Sequence, residues 1–178
     1  MKDNELIALL RSEIAIALTN AGLDFPVVQL VQPTQQGTET GGTVYIQKLF
    51  DKVAGWSQRK KTYKSENKNF ENKEDTQYVT TIQISALNPQ TPGDTSAPTA
   101  SDVVNIVKLH LCHNTTLQKL RQKNIGLFRV IDVSNNYFHN DLSRFQAMPG
   151  FQLSFTHVRS MTINTPRLER IESHVYKV

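Results

Sequence analysis

Apolar residues recur with helical spacing near the start of the chain. Intervals of three and four positions between Leu6 and Leu18 predict a helix over residues 5–21, capped by Asp3 or Asn4. One acidic residue falls on the same stripe, which consists of Leu6, Leu9, Leu10, Glu13, Ile14, Ala17 and Leu18. A stripe of this width is typical of a helix that packs on a sheet.

A second helical region begins at Thr99, where Asp102 completes a capping-box pattern. Helical spacing then continues through Val103, Ile106, Val107, His110 and Leu111. Asn114 and Thr115 interrupt that pattern and can cap a second, shorter helix. Its inward residues are predicted to be Leu117 and Leu120, its outward residues Lys119, Arg121 and Lys123, and its C-terminal cap Asn124 and Gly126.

Strand patterns occupy most of the remaining chain. Alternating or apolar runs predict strands over 27–31, 43–50, 77–87, 127–133, 151–156 and 167–178. In the second of these strands, Val44, Ile46 and Phe50 are predicted to share one face. Since both faces of 127–133 are apolar, we expect a central strand with Ile131 buried. The segment 134–149 is predicted to be an ordered loop, and 167–178 an edge or assembly strand.

The segment 51–76 is rich in charge and poor in aliphatic residues, which predicts a long hairpin or arm that projects from the core. The order of elements predicts an α+β fold, in which helices pack on one face of a mostly antiparallel sheet. The length of 178 residues is typical of one domain, so 1–178 is interpreted as a single domain with the arm as an insertion.

Composition changes this picture only slightly. The chain is 38% hydrophobic and 20% charged, and its formal net charge is +4, which permits but does not require an acidic or nucleic-acid partner. No apolar run reaches membrane-spanning length, and the N-terminus lacks a secretory signal pattern. Because Cys112 is the only cysteine, an internal disulfide is excluded and synthesis in a reducing compartment is expected.

Two clusters of polar residues could carry chemistry. A metal site around His110, Cys112 and His113 would need further converging ligands, so Cys112 is interpreted as a small buried residue. An acid–base trio of Asp132, His139 and Asp141 lacks an accompanying nucleophile or phosphate-binding motif. A hydrolase therefore stays a remote alternative, and no catalytic, cofactor or metal residue is predicted.

A basic patch lies inside the predicted arm, at Arg59, Lys60, Lys61 and Lys64, with Trp56 and Tyr63 interleaved. It could contact DNA phosphates or dock on an acidic protein surface. The alternative is a solvated hairpin, because nearby acids offset much of the charge: Glu66, Glu71, Glu74 and Asp75. Sequence-specific DNA recognition is not expected, since no basic recognition helix is evident.

Several stretches resemble the neck or tail-terminator proteins of tailed bacteriophages. They are 4–7, 32–34, 99–103, 126–138, Asp141, Arg144, Phe145 and 149–157. The resemblance spans nearly the whole chain, is weakest across 51–76, and includes no catalytic signature.

The resemblance implies a structural virion protein without enzymatic activity. Such proteins form a ring, usually a homohexamer, that ends the tail tube and joins it to the head connector, with the genome passing through the central channel. The implied partners are copies of the chain itself, the tail-tube protein and the connector or adaptor proteins. Loose, sequence-independent contact with genomic DNA is possible, no membrane is involved, and assembly takes place in the cytoplasm of the bacterial host.

A ring requires two different, mutually complementary patches on each subunit. Besides the basic patch, the predicted candidates for assembly are Tyr137, Phe138, Arg144 and Phe145. Two functional alternatives stay open: a nucleic-acid-binding module that uses the patch at 59–64, and another connector or completion ring of the head–tail junction.

Overall fold

The computed structural model describes residues 2–29, 41–65, 69–89, 96–139 and 145–166. The elements in chain order are α1 (Asp3–Asn20), β1 (Val27–Gln29), β2 (Thr43–Val53), β3 (Gln58–Lys64), β4 (Asn69–Leu87), α2 (Ala100–Cys112), α3 (Asn114–Gln122), β5 (Gly126–His139) and β6 (Phe145–Pro166). Among the described residues, none of these helices combines the length and the apolar character that a membrane span requires.

The sheet follows the strand order β1-β2-β4-β6-β5, and β3 pairs with β4 beside this path. The pairing of β1 with β2 is parallel, and all other described pairings are antiparallel. The predicted mixture of helices with a mostly antiparallel sheet is therefore confirmed. Residues 167–178, where a final edge strand was predicted, lie outside the described part of the chain.

The helix caps agree with the sequence to within one or two residues. The Asp102 amide donates to Thr99 Oγ1 over 3.1 Å, and the Thr99 amide donates to the Asp102 carboxylate over 2.9 Å, which confirms the predicted capping box. The N-cap of α1 is Lys2 and that of α3 is His113, each just before the predicted residues. Asn124 has a φ of 58°, the left-handed conformation that a helix end favours.

One face of the sheet packs with α1 and α2 to form the core. The strands contribute alternate residues to it, which are Val44 and Ile46 from β2, Ile82, Ile84 and Ala86 from β4, and Phe151, Leu153 and Phe155 from β6. The helices contribute Leu6, Ile7, Leu10, Ile14 and Leu18 from α1, and Val103, Val104, Val107 and Leu111 from α2. Burial of each of these large side chains contributes about 1.5–3 kcal/mol.

The predicted central strand 127–133 is wrong in its position. β5 pairs only with β6 among the described strands, so it lies at an edge, and β6 takes the central place between β4 and β5. Ile131 is 39% exposed and Phe128 is 67% exposed. Register shifts after Leu127 and after Ile131 interrupt the alternation, which explains why apolar residues on both faces did not mean burial on both faces.

Two further predictions need correction. The segment predicted as a loop over 134–149 is an antiparallel hairpin, in which Asn135 pairs with Pro149, although 140–144 lie outside the described residues. Phe50 does not share the face of Val44, because a register shift between Lys48 and Phe50 turns it outward, where it is 55% exposed.

Candidate assembly surface

The end of the helix-covered part of the sheet is marked by a charged cluster at the first residue of α1. Lys48 Nζ lies 2.5 Å from Asp3 Oδ2 and 2.6 Å from Asp51 Oδ2, and the Arg159 guanidinium donates to both carboxylates. Burial alone would raise the pKa of Asp51, but hydrogen bonds from Lys48 and Thr80 hold it below its ordinary value of 3.8. The cluster thereby fixes the start of α1 to β2 and β6.

A buried histidine lies beside this cluster. His157 is 3% exposed, its Nε2 is 2.8 Å from Thr80 Oγ1, and its ring stacks on Tyr78 at a centroid distance of 6.2 Å. Burial and the positive charge of Arg159 lower the pKa of His157 below its ordinary value of 6.5. The imidazole is therefore neutral at neutral pH.

Beyond this boundary the sheet continues as three strands, which we call the ribbon: β3, residues 69–75 of β4 and residues 160–166 of β6. Every residue of β3 is exposed. On the face that continues the core, Met161 is 62% exposed and Ile163 is 53% exposed. The predicted pairing of 51–76 as a hairpin thus corresponds to β3 and the start of β4, while its projection from the core as an arm stays a prediction.

The predicted basic patch lies on the ribbon, and half of it is paired. Arg59 Nε is 3.5 Å from Glu74, and Lys64 Nζ is 3.0 Å from Glu71, across the β3–β4 pairing. Lys61 Nζ lies 4.5 Å from the centre of the Phe70 ring, and no carboxylate of the described ranges forms an ion pair with Lys60. The acids that the sequence predicted to offset the patch therefore neutralise its two ends and leave its middle cationic.

The residues predicted to form an assembly loop are distributed over a hairpin instead. Tyr137 and Phe138 belong to β5, where they pair with Ala147 and Gln146, and Phe145 begins β6. Arg144 lies outside the described residues. Their role in assembly stays a prediction.

The outer edge of β5 is open within the described part of the chain, because β5 pairs there with β6 alone. β3 and β1 lie on the opposite side of the sheet. The subunit therefore has two different edges, one on each side, with exposed apolar residues near both: Phe128 and Ile131 at one, Tyr63 at the other.

The face of the sheet opposite the helices is polar. We define this polar face by the residues that alternate with the core positions, which are Tyr45, Gln47, Thr81, Gln83, Ser85, Gln152 and Ser154. The hydroxyls of Thr81 and Ser154 lie 3.0 Å apart and bond to each other across two strands. None of these seven side chains carries a charge at neutral pH, so the middle of this face is neutral and hydrophilic.

The polar clusters considered for chemistry are not assembled into a site by the described residues. Asp132 is 95% exposed at its side chain and forms an ion pair of 2.7 Å with Lys108, while Asp141 lies outside the described part. Burial raises the pKa of the Cys112 thiol, which disfavours the reactive thiolate. In the described ranges, no group of three histidine, cysteine or acidic residues is arranged to hold a metal ion.

The sequence placed Glu13 on the apolar stripe without a partner. The structure buries it to 5% exposure, with Lys119 Nζ at 3.0 Å and His110 Nε2 at 3.3 Å from its carboxylate. An acidic residue on an apolar helical stripe, together with cations on another predicted helix, is the signal that could have indicated this contact.

The model of one protein family, described as the E217 gateway protein gp29, matches residues 5–167. No curated protein sequence matches the chain. Among solved structures, the fold is similar to the PVC sheath/tube terminator in the extended state, determined by cryo-electron microscopy of an extracellular contractile injection system. That likeness has a TM-score of 0.54 at 9% sequence identity and covers 100% of this chain, but only 64% of the length of the other.

At this low identity the structural likeness shows the fold alone, which is a terminator-like fold. The family match spans most of the chain and confirms the resemblance to phage neck proteins that the sequence indicates. The chain belongs to the family of the E217 gateway protein gp29.

Proposed function

We propose that this chain is a structural virion protein of a tailed bacteriophage, which forms a homohexameric ring at the neck. The ring ends the tail tube, joins it to the head connector and lets DNA pass through its central channel. It performs no enzymatic reaction. The observation that carries this proposal is the family match across residues 5–167, together with a fold similar to a sheath/tube terminator.

The two edges of the sheet that are open within the described part of the chain support a ring. A head-to-tail contact joins two different patches and closes into a ring when the rotation between copies permits it. β5 lies at one edge of the sheet, and β1 and β3 lie at the other side. Addition of the β5 edge of one copy to the opposite edge of the next would satisfy unpaired backbone amides by strand pairing.

The polar face supports a channel for DNA. The half-buried amide side chains of Gln83 and Gln152 are hydrophilic but uncharged, while the hydroxyls of Thr81 and Ser154 beside them are buried and bond to each other. A cationic lining would bind phosphates and retain the DNA, whereas a neutral lining permits passage. We therefore assign the polar face to the inner wall of the ring and the helices to its outer wall.

Cryo-electron microscopy of purified particles tests the ring. The expected result is a closed ring of this chain between the tail tube and the head, with the polar face toward the axis. A particle whose neck contains no copy of this chain contradicts the proposal. Light scattering measures the oligomeric state of the purified chain in solution. A chain that is monomeric in isolation but forms a ring on the tail tube also agrees with the proposal.

A pair of matched substitutions tests the channel. Gln152→Lys places a cation on the polar face, and Asn105→Lys places one on the exposed side of α2. We expect Gln152→Lys to slow the release of DNA from purified particles and Asn105→Lys to leave it unchanged, because only the first cation would face the phosphates. Equal release from both variants contradicts the assignment of the inner wall.

A nucleic-acid-binding module is the second candidate function, and the cationic middle of the patch at Lys60 and Lys61 favours it. Its test is the salt dependence of DNA binding by the purified chain. Charge reversal at Arg59, Lys60 and Lys61 should flatten the salt slope if the patch carries the affinity. Absence of binding at low salt excludes this candidate and leaves the ring proposal intact.

A further inference from the structure

The ribbon has one apolar face with nothing packed on it in the described structure. Cross-strand register places Arg59, Glu74 and Met161 in one row of this face, Lys61, Asn72 and Ile163 in the next, and Tyr63, Phe70 and Thr165 in the third. The Tyr63 and Phe70 rings are 5.1 Å apart and support each other. Met161 and Ile163 have no such partner and are 62% and 53% exposed.

The opposite face of the same ribbon is polar except at Pro166. Its residues include Lys60, Thr62 and Lys64 on β3, and Ser160, Thr162 and Asn164 on β6. The ribbon is therefore amphipathic, although no described helix covers its apolar side. Exposed apolar patches that are rimmed by polar residues are typical of protein-binding sites.

A depression of about 390 Å³ lies on this apolar face. Met161 and Ile163 form its apolar lining, and Arg59, Lys61, Asn72 and Glu74 lie on the same face around them. Lys60 and Lys73 also border the depression, but the register places both on the opposite face. Glu74 pairs with Arg59, and Lys61 forms no ion pair with a carboxylate in the described ranges, so the depression has one cation in excess.

The described surface of a second copy offers almost no free acid to match this charge. Asp24 is the one described carboxylate without a partner. The others are held by cations, hydroxyls or amides of the same chain, and these are Asp3, Glu5, Glu13, Asp51, Glu71, Glu74, Asp75, Asp102 and Asp132. DNA is equally unsuited, because phosphate contacts to the lysines would leave Met161 and Ile163 in water.

We propose that the depression on the ribbon binds a segment of a different protein, one that inserts an apolar side chain between Met161 and Ile163 and presents a carboxylate to Lys61. The inference rests on the proposed function in one respect, because the partner is taken to be another protein of the phage particle. The ribbon then joins the ring to its neighbour, while the sheet edges join its subunits to one another.

Site-specific photo-cross-linking in the full-length chain tests this interaction. A photoreactive phenylalanine analogue replaces Ile163 in one variant and Thr162, on the opposite face, in the other. Both variants are supplied during infection, the particles are purified, and mass spectrometry identifies the adducts. We expect position 163 to cross-link to an acidic segment of a different particle protein and position 162 to do so roughly tenfold less.

The outcomes separate the inference from the proposed function. An adduct from position 163 to a second copy or to DNA overturns the inference, and so does the absence of any adduct when the chain is present in the particles. Absence of the chain from the particles overturns the proposed function and this inference with it.

Substitutions on the ribbon test separately the apolar contact at Ile163 and the charged contact at Lys61. Ile163→Asp should lower incorporation of the chain into particles roughly tenfold, while Thr162→Asp should change it less than about twofold. Both variants should keep the wild-type melting temperature, because both residues are exposed. Lys61→Glu should reduce the cross-linking yield from position 163, while Lys60→Glu, on the opposite face, should not. An unchanged yield in Lys61→Glu contradicts the role assigned to Lys61.

Discussion

β4 runs through two regions of the molecule, one covered by helices and one that no described helix covers. In the helix-covered half, Ile82 and Ile84 are fully buried under α1 and α2. In the ribbon, the same strand pairs with the same neighbour, β6, but Ile163 on the equivalent face is 53% exposed. Strand pairing alone therefore does not bury an apolar face, and the covering helices decide which half is core and which half is surface.

The boundary between the two halves is built from polar groups because it is where burial ends. Asp3 at the start of α1 holds Lys48 and Arg159, and His157 lies just inside them. Along β6, the contacts change from apolar at Phe155 to charged at Arg159, four residues later, where the sheet emerges from under the helices. The predictions that follow test how different the two halves are.

The largest contrast is expected between Phe155→Ala and Ile163→Ala, on the same strand and face. Phe155 is 1% exposed, so its truncation should cost about 3–5 kcal/mol of unfolding free energy through lost burial and a cavity. Ile163→Ala should cost less than about 1 kcal/mol, because the side chain is already half in water. Urea unfolding of the purified variants measures both values, and comparable losses would mean that the ribbon is as well covered as the core.

A smaller effect is expected inside the covered half, at the buried acid. Lys119→Ala removes the ammonium group 3.0 Å from Glu13 and leaves this carboxylate at 5% exposure with His110 as its remaining partner. We expect a loss of about 1–3 kcal/mol, since a buried charge loses part of its compensation. Lys123→Ala, exposed near the same helix end, is the matched control. The loss should shrink in a Glu13→Gln background, and a loss of equal size in both backgrounds would rule out the ion pair as its cause.

The sequence predicted the covered half better than the rest of the molecule. The α1 stripe, the Thr99 cap and the strand at 77–87 depend on local patterns, and packing follows those patterns there. The edge position of β5 could not be predicted, because strand order depends on long-range pairing that no local pattern encodes. The register shifts at Lys48 and Leu127 were missed for the same reason. The basic patch was found from composition, but the cross-strand partners of Arg59 and Lys64 required the β3–β4 register.

The dependence of stability on pH tests the boundary between the helix-covered half and the ribbon, where His157 is buried. Because burial keeps His157 neutral in the fold, the unfolded chain binds the proton more readily, so stability is fully present above pH 6.5 and declines as the pH falls below it. His157→Gln retains a donor for Thr80 and should flatten this decline below pH 6.5. Equal pH profiles for the wild type and His157→Gln would show that the boundary does not depend on this imidazole.

The smallest effect is expected at Ile131, on the edge strand β5. In a central strand, Ile131→Ala would cost about 2–5 kcal/mol of unfolding free energy. Because Ile131 is 39% exposed, we expect a loss of only about 1 kcal/mol in the isolated chain. If the proposed ring forms, the same substitution should weaken it more than it weakens the monomer, because strand addition at β5 would cover this side chain. Chemical unfolding at low protein concentration and the assembly state at high concentration measure the two effects separately. A large loss in the dilute subunit would mean that β5 is already covered within one chain, and the edge would then be unavailable for joining neighbouring copies.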